Sequence, residues 1–196
     1  MSTAQVIDSI FEKAHSHNGW KDRGVTDEQL REIYERMKWG PTSVNCSPVR
    51  VVFVRTPEAK ARLKLALAPG NVDKAMSAPV VAFVGYDTRF YERLPTLFPH
   101  NPAVKGWFEG PEKTTFAETT AFRNGTLQGA YLIVAARAAG LDCGPMSCFN
   151  NAAIDATFFA GTSIKSNFIC AIGHGDPDKV HARGPRLSFD EVCQLV

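Results

Sequence analysis

The segment from Gly40 to Arg55 reads GPTSVNCSPVRVVFVR and joins two kinds of predicted structure. A helical pattern of apolar residues leads into Gly40, and the β-branched and aromatic residues after Pro48 are typical of a strand. Gly40, Pro41 and Pro48 prevent either element from extending across the connection. The sequence therefore predicts a rigid polar loop that is anchored at both ends.

This loop carries hydroxyl and amide groups on Thr42, Ser43 and Asn45, which both donate and accept hydrogen bonds. Such groups suit a polar heteroaromatic ring or a sugar chain better than a bare phosphate. They are equally typical of an ordinary helix-to-strand connection in which small polar residues cap the helix ends. The residues by themselves leave both interpretations open.

Composition narrows the class of protein. The chain has 196 residues, of which 44% are hydrophobic, and this is enough for one domain with a buried core. The 22 basic and 20 acidic residues nearly balance, so we expect no nucleic-acid partner. We also expect neither a membrane span nor a secretory signal. The five cysteines lack CxxC spacing, which favours free thiols and a cytoplasmic location.

Two amphipathic helices are predicted before the loop. Apolar residues at helical spacing predict the first from about Thr3 to Ala14. The second begins at a capping box of Thr26 and Gln29 and leads to Gly40. Its predicted apolar face consists of Leu30, Ile33, Tyr34 and Met37.

After the first strand, Thr56 and Pro57 predict the start of a helix that ends near Pro69 and Gly70, with Asn71 in the turn that follows. Residues 78–86 form a near-continuous apolar run, which predicts a strand buried on both faces. Residues 87–115 are irregular, with four prolines among aromatic residues. A long loop of this kind is usually functional or packs against a partner.

The C-terminal half alternates between helix, loop and strand. Residues 116–139 predict a central helix with so little polar surface that we expect it at a subunit interface. We predict a second polar loop over 141–149, a short helix over 152–159, a strand over 167–172 and a final element over 189–196. The whole pattern predicts an α+β fold: a mixed, mostly antiparallel sheet of about four or five strands with helices on both sides.

Several motifs together resemble the flavin-dependent nitroreductase family, in which a Pro-Ser/Thr-Ser-x-Asn-x-x-Pro segment precedes a strand. Within that family the chain is similar to a subgroup typified by malonic semialdehyde reductase. The similarity spans nearly the whole chain. Its motifs are His17-Asn18-Gly19-Trp20, Lys38 to Pro48, Phe90 to Pro95, Thr120 to Asn124, Gly144 to Ser147 and Arg186 to Phe189.

The resemblance implies an interlocked homodimer of one nitroreductase-like domain, residues 1–196, whose C-terminal tail embraces the partner and whose FMN lies at the interface. Asn71 would then hydrogen-bond the pyrimidine edge of the flavin. A backbone N–H near flavin N5 would stabilise the reduced ring. The implied ring contacts are Pro41, Thr42, Ser43, Asn45, Asn71, Pro145, Met146, Ser147 and Cys148. Ser147-Cys148 stands where the family often has Glu-Gly, so a carboxylate is missing and a Cβ is added.

The phosphate of FMN needs cations or a helix N-terminus. The resemblance places Arg186 at the family's C-terminal basic position, and Arg183 is the second candidate for a bidentate grip on phosphate. A solvated tail is the alternative interpretation of both arginines. At the N-terminal phosphate site the family usually has an Arg-Ser pattern, which His17-Asn18-Gly19-Trp20 replaces in this chain. His17 and Asn18 are therefore the candidates for a phosphate contact there.

The resemblance also implies a two-step relay, in which NAD(P)H reduces FMN and the reduced flavin then reduces a second substrate. The subgroup suggests malonic semialdehyde, which would become 3-hydroxypropanoate, with Arg93 as the partner of its carboxylate. Reduction of nitroaromatics or quinones is the alternative activity, and a flavin-binding module is the non-enzymatic alternative. No GxGxxG fingerprint distinguishes NADH from NADPH.

Other chemistry finds less support in the residues. The five histidines lack metal-binding spacing such as HExxH, so no metal site is predicted. A nucleophilic role for Cys148 requires an oriented base, which His174 or His181 would have to supply. We assign no catalytic acid or base, because the flavin would supply the chemistry. Arg123 and Asn124 match a subgroup motif. The sequence does not decide whether they make a structural hydrogen bond or a functional contact.

Overall fold

The protein is described by a computed structural model that covers residues 3–196; Met1 and Ser2, the start of the predicted domain range, lie outside the described residues. The strands form one antiparallel sheet in the order β1-β2-β4-β3. Their bounds are β1, Val49–Val54; β2, Val80–Asp87; β3, Asp142–Met146; and β4, Ile164–Gly173.

The helices are α1, Thr3–Ile7; α2, Asp27–Met37; α3, Pro57–Lys64; α4, Pro69–Ser77; α5, Leu94–Leu97; α6, Thr114–Ala138; α7, Asn151–Phe158; and α8, Phe189–Val192. A π-helical turn over Asp8–Glu12 extends α1. Short 3₁₀ turns cover Ser43–Asn45, Phe90–Arg93, Pro102–Trp107, Pro111–Lys113 and Pro177–Lys179. Among residues 3–196, no helix combines the length and the apolar character needed to cross a membrane.

The sheet is the middle layer of the molecule. Val80, Ala82 and Val84 on one face of β2 pack with α2 and α6. Val81 and Phe83 on the other face pack with α3, α4 and α7. Successive strand residues point to opposite faces, so burial of both faces explains the unbroken apolar run in this strand. The predicted α+β class, with helices on both sides of a mostly antiparallel sheet, is confirmed.

Helix α2 begins at the predicted capping box. Thr26 Oγ1 accepts from the Gln29 backbone N–H at 3.2 Å, and the Thr26 N–H donates to Gln29 Oε1 at 3.0 Å. Leu30, Ile33 and Met37 are buried, as the periodicity predicts. Tyr34 is instead exposed, because one further residue along a helix rotates the side chain by about 100° away from Ile33.

The end of α3 differs from the prediction. The helix stops at Lys64, and Pro69 begins a separate helix, α4, rather than ending the first one. Proline suits a first helical position because the N–H it lacks would have no partner there. Asn71 therefore lies in the first turn of a helix and not in a loop.

The predicted polar loop over 141–149 is mostly a strand. β3 pairs with β4 from Asp142 to Met146, which leaves residues 147–150 as the connection to α7. Pro145 is tolerated within this strand because β3 is at the edge of the sheet, where a missing N–H does not interrupt a ladder. The misleading signal was the Gly-Pro pair inside the strand.

The predicted irregular segment is packed rather than open. Its short helical turns bury Phe90, Leu94, Val104 and Phe108 in a third cluster, which also contains Cys46 and residues of α6. This cluster lies beside the loop of residues 41–48, since Asn45 Nδ2 donates to the Leu97 carbonyl at 2.8 Å. The segment therefore supports the polar loop from one side.

Candidate functional site

The polar loop is held in a strained conformation. Val44, Asn45 and Ser47 have φ values of 47°, 51° and 39°, in the left-handed region that side chains rarely adopt. Strain of this kind persists only where surrounding contacts determine the backbone, and it concentrates at functional sites. Within the loop, Thr42 Oγ1 accepts from the Ser47 N–H at 3.1 Å. The rigidity predicted from the flanking prolines is therefore accompanied by hydrogen bonding inside the loop.

Two side chains of helix α6 hold this loop in place through hydrogen bonds. Asn124 is buried, and its Oδ1 accepts from the Ser43 backbone N–H at 2.8 Å while its Nδ2 donates to the Thr120 carbonyl at 2.8 Å. One turn later, Gln128 Oε1 accepts from the Val49 N–H at 3.0 Å. The contact that the sequence left open for Asn124 is thus a structural hydrogen bond to the loop, whereas Arg123 is exposed.

The predicted ring-contacting residues of the loop face outward. Pro41, Ser43 and Asn45 are exposed and Thr42 is half-buried. In the described residues, no hydrogen bond or ion pair joins this loop to Asn71, to residues 145–148 or to the C-terminal arginines. Among residues 3–196, direct polar contacts therefore do not connect this loop to the other predicted site residues.

A second group forms around Cys148. The Cys148 carbonyl accepts from Asn71 Nδ2 at 3.0 Å and from the Ala68 N–H at 3.2 Å, so α4 fixes the backbone of this connection. Ser147 and Cys148 are exposed, but the Met146 side chain is buried in the core. The structure thus brings Asn71 to the predicted segment, where Ser147 and Cys148 are exposed and Met146 is buried.

Lys74 was missed by the sequence reasoning. It lies on α4 one turn after Asn71, and its Nζ is 3.4 Å from the Pro145 carbonyl. Burial lowers the pKa of Lys74. In the part of the chain that the structure describes, no carboxylate forms an ion pair with it. The signal available in the sequence was its spacing of three residues from Asn71, which places both on one face of a helix.

The C-terminal arginines line a different feature, a cavity of about 660 Å³ between the π-helical turn and the tail. The predicted residues Asn18, Arg183 and Arg186 are in its wall. His15, Ser16 and Arg137, which the sequence did not predict, are there as well, together with His181, which was considered only as a base for Cys148. The full lining is Ile10, Phe11, Glu12, Ala14, His15, Ser16, Asn18, Arg137, His181, Ala182, Arg183, Gly184 and Arg186.

The two tail arginines are held differently in this cavity. Arg183 Nη2 donates to the carbonyls of Phe11, Glu12 and Ala14 at 3.3, 2.6 and 3.0 Å, so it caps the end of the π-helical turn. Arg186 Nη1 donates to the carbonyls of Gly184 and Pro185, both at 3.0 Å. Arg183 is thus tied to the N-terminal segment, whereas Arg186 contacts only its own neighbours among these bonds.

His17 points away from the cavity that its neighbours line. The residue is 9% exposed, its Nε2 lies 3.3 Å from Asp142 Oδ1, and its backbone N–H donates to the Cys143 carbonyl at 3.0 Å. Burial lowers the pKa of His17, although the Asp142 carboxylate acts in the opposite direction. A Cβ on Gly175 would collide with the imidazole. The structure therefore places His17 inside the fold and Asn18 in the wall.

The candidate nucleophile Cys148 and the candidate substrate residue Arg93 have no catalytic or charged partner in the described structure. Within residues 3–196, no hydrogen bond joins the Cys148 thiol to His174 or His181, and no group of three or more His, Cys, Asp or Glu side chains is arranged to hold a metal. Burial lowers the pKa of His174. Arg93 is exposed, and no carboxylate in the described structure forms an ion pair with it.

Comparison with known proteins relates this chain to a protein family. The model of the nitroreductase family matches residues 12–175. A Ralstonia pickettii protein with the provisional name NADH dehydrogenase/NAD(P)H nitroreductase HadB is 70% identical over 195 residues, covering 100% of both chains.

Two solved structures share the fold. A provisionally named nitroreductase, ydfN of Bacillus subtilis, has a TM-score of 0.89 at 20% identity, with 100% of both chains covered. A provisionally named nitroreductase of Exiguobacterium sibiricum, solved in complex with FMN, has a TM-score of 0.85 at 17% identity, covering 100% of this chain and 98% of that one. At such identities the likeness concerns the fold.

Proposed function

The chain belongs to the nitroreductase family, and we propose that it is an FMN-dependent NAD(P)H oxidoreductase. The observation that carries the proposal is the cavity beside the tail, which combines three arginines with the hydroxyl and amide groups of Ser16 and Asn18. Its volume falls in the range of roughly 300–1,000 Å³ that small-molecule sites occupy. An arginine-rich wall of this kind suits a phosphate dianion.

The remaining segments would hold the flavin ring. When bound, FMN supplies hydride transfer between NAD(P)H and an acceptor. Asn71 offers an amide to the pyrimidine edge, and Lys74 offers a cation where negative charge would develop. Asn71 and Ala68 fix the Cys148 carbonyl, so the backbone of Pro145, Met146, Ser147 and Cys148 is positioned before any ligand arrives. Pro41, Thr42, Ser43 and Asn45 would complete the ring site.

We propose that this completion needs a second copy of the chain. Residues 1–196 would form one domain, and its tail would embrace the partner. Support comes from the outer face of α6, where Phe116, Phe122, Leu127 and Tyr131 are all exposed. An apolar stripe of this length on a helix favours burial against another chain. The lack of direct polar contacts between loop 41–48 and Asn71 or Cys148 in the described residues is consistent with the same arrangement.

For the acceptor we propose malonic semialdehyde. Its carbonyl carbon would take the hydride and its oxygen a proton, which gives 3-hydroxypropanoate. Arg93 supports this choice because an exposed guanidinium without a carboxylate partner in the described structure can bind the substrate carboxylate. The second candidate is a nitroaromatic or quinone, and the nitroreductase name of the Ralstonia pickettii relative favours the nitroaromatic. The five free thiols fit our proposal that the enzyme works in the cytoplasm.

The first test is the visible spectrum of the purified protein. We expect a yellow protein that releases FMN, and not FAD, on denaturation. A colourless protein that FMN fails to reconstitute would contradict the proposal. A flavin-loaded protein that oxidises NAD(P)H slowly with every acceptor would instead indicate a flavin-binding module.

The acceptor is tested with Arg93→Ala. We expect a higher KM for malonic semialdehyde and little change for a neutral quinone, because only the first carries a carboxylate. Arg89→Ala is the matched control, since Arg89 is a nearby exposed arginine that already pairs with Glu92. Equal losses with both acceptors would make Arg93 structural. A far higher kcat/KM for quinones or nitroarenes than for any short aldehyde acid would favour the second candidate.

A further inference from the structure

Arg137 occupies an unusual place in the wall of the cavity. It lies in the last turn of α6 and is half-buried. Its Nη1 donates to the Ile10 carbonyl at 3.1 Å and its Nη2 to the His15 carbonyl at 3.4 Å. It therefore connects the π-helical turn to the segment that contributes His15, Ser16 and Asn18 to the cavity.

Arg137 also differs from the other two cavity arginines in being carried by a packed helix. Arg183 and Arg186 lie on the tail, where every residue from 181 to 196 is exposed. Arg137 instead belongs to a helix whose neighbouring residues Leu132, Ala135 and Ala136 are buried against the sheet. A cation that is already positioned loses less conformational entropy when an anion binds.

The charge of Arg137 is not neutralised by the protein. In the described part of the chain no carboxylate forms an ion pair with it. The one acidic residue in the cavity wall, Glu12, is exposed to solvent. The planar guanidinium also carries more N–H donors than the two carbonyls use. It therefore retains both the charge and the geometry for a bidentate contact with an anion.

The N-terminal segment lacks such a group of its own. The resemblance implies an arginine there, but His17 is turned towards Asp142, and the neighbours in the wall are His15, Ser16 and Asn18. None of these three residues is an arginine or a lysine. Arg137 reaches the same place from another element, because its guanidinium is hydrogen-bonded to the His15 carbonyl.

We propose that Arg137 is the fixed cation that binds the FMN phosphate, in place of the N-terminal arginine that the resemblance implies. The inference rests on the proposed function, since it presupposes that FMN binds in this cavity. The competing explanation is that Arg137 only joins the N-terminal segment to α6. Comparing FMN with riboflavin separates these two explanations, because the two ligands differ only in the phosphate. A phosphate-binding Arg137 affects the affinity for FMN alone, whereas a structural Arg137 affects both ligands.

The test uses the full-length apoprotein and fluorescence-quenching titrations with FMN and with riboflavin. For Arg137→Gln we expect the Kd for FMN to rise roughly 10- to 100-fold, the loss of a hydrogen bond to a charged group. The Kd for riboflavin should change by less than about 3-fold. Arg31→Gln is the control, because it removes the same charge from an exposed position on α2.

Arg137→Lys keeps the charge but not the planar fork, so we expect a smaller loss that is still confined to FMN. This variant also preserves the test if Arg137→Gln fails to fold. Equal loss of FMN and riboflavin, or unchanged FMN affinity in both variants, would overturn the inference while leaving the proposed function intact. A wild-type protein that binds neither ligand would overturn the proposed function and the inference together.

Discussion

Two segments of the chain lack long regular elements, yet they behave in opposite ways. Residues 90–108 bury Phe90, Leu94, Val104 and Phe108 in a cluster with α6. Residues 181–196 also contain large apolar side chains, but all of these residues are exposed. The exposed apolar side chains of the tail are Leu187, Phe189, Val192, Leu195 and Val196.

The difference shows that apolar content does not decide whether a segment is buried within its own chain. Residues 90–108 lie between loop 41–48 and α6, so their side chains find apolar surface on the same molecule. The tail follows the last strand, and Arg183 ties its beginning to the N-terminal segment. Exposed apolar surface costs about 25 cal/mol per Å², so burial of the tail against a partner would be favourable.

The largest expected effect follows from deleting residues 181–196. No buried residue is lost, so we expect circular dichroism to show an intact fold. The deletion should nevertheless abolish dimerisation and FMN binding, because it removes the apolar tail together with Arg183 and Arg186. Light scattering and flavin titration would measure both losses. A truncated protein that is still a flavin-loaded dimer would show that the tail contributes to neither.

Paired phenylalanine substitutions compare the two segments directly. Phe90→Ala should lower the free energy of unfolding by about 3–5 kcal/mol, since it empties a fully buried site. Phe189→Ala should act only through association, so its effect on the urea midpoint should depend on protein concentration. A Phe189→Ala effect that is large and independent of concentration would mean that the tail packs on its own chain.

The tail arginines should differ from each other. Arg186→Ala should weaken FMN binding by roughly 1.5–3 kcal/mol, the range for a hydrogen bond to a charged group. Arg183→Ala should cost less, because its Nη2 already donates to three backbone carbonyls. Fluorescence titration measures both. Unchanged affinity in Arg186→Ala would mean that other cations hold the phosphate.

The smallest expected effect is the pH-dependent contribution of His17 to stability. Burial lowers the pKa of His17 below 6.5, so near that pH the unfolded chain binds more protons at this residue than the folded protein. This contribution to stability is therefore complete above pH 6.5 and is lost as the pH falls through the folded pKa. The charged or titratable groups that act on it are Asp142, His15, Arg137 and Asp176.

We expect thermal melting between pH 5 and 8 to show a decline towards acid in the wild type and a shallower decline in His17→Gln, with a difference of a few °C at most. His100→Gln is the control, because His100 is exposed. Identical pH profiles in the wild type and His17→Gln would show that His17 does not contribute to the decline.

Local signals predicted much of this fold. The capping box at Thr26, the N-cap at Thr56 and the apolar run of β2 are patterns within a few residues, and each is found in the structure. Prediction failed where one residue type permits two structures. Pro69 begins a helix rather than ending one, and Pro145 lies in a strand because that strand is at the sheet edge.

Some residues of the candidate site were predicted from local motifs, and others were found only in the structure. The sequence identified the segments: the loop from Pro41 to Asn45, Asn71, the connection at Cys148 and the tail arginines. It did not select Lys74 or Arg137, since no local motif marks them. Their significance depends on the Pro145, Ile10 and His15 carbonyls, which are distant in sequence.

By itself, the sequence determined the fold class and the order of most elements, because periodicity, capping and turn chemistry act over a few residues. Only the tertiary structure decided which side chains turn inward and which line a cavity. His17 and Asn18 are neighbours in sequence, yet the first is buried against Asp142 and the second lines the cavity. The physical reason is that side-chain direction and partners are set by packing between elements distant in the chain.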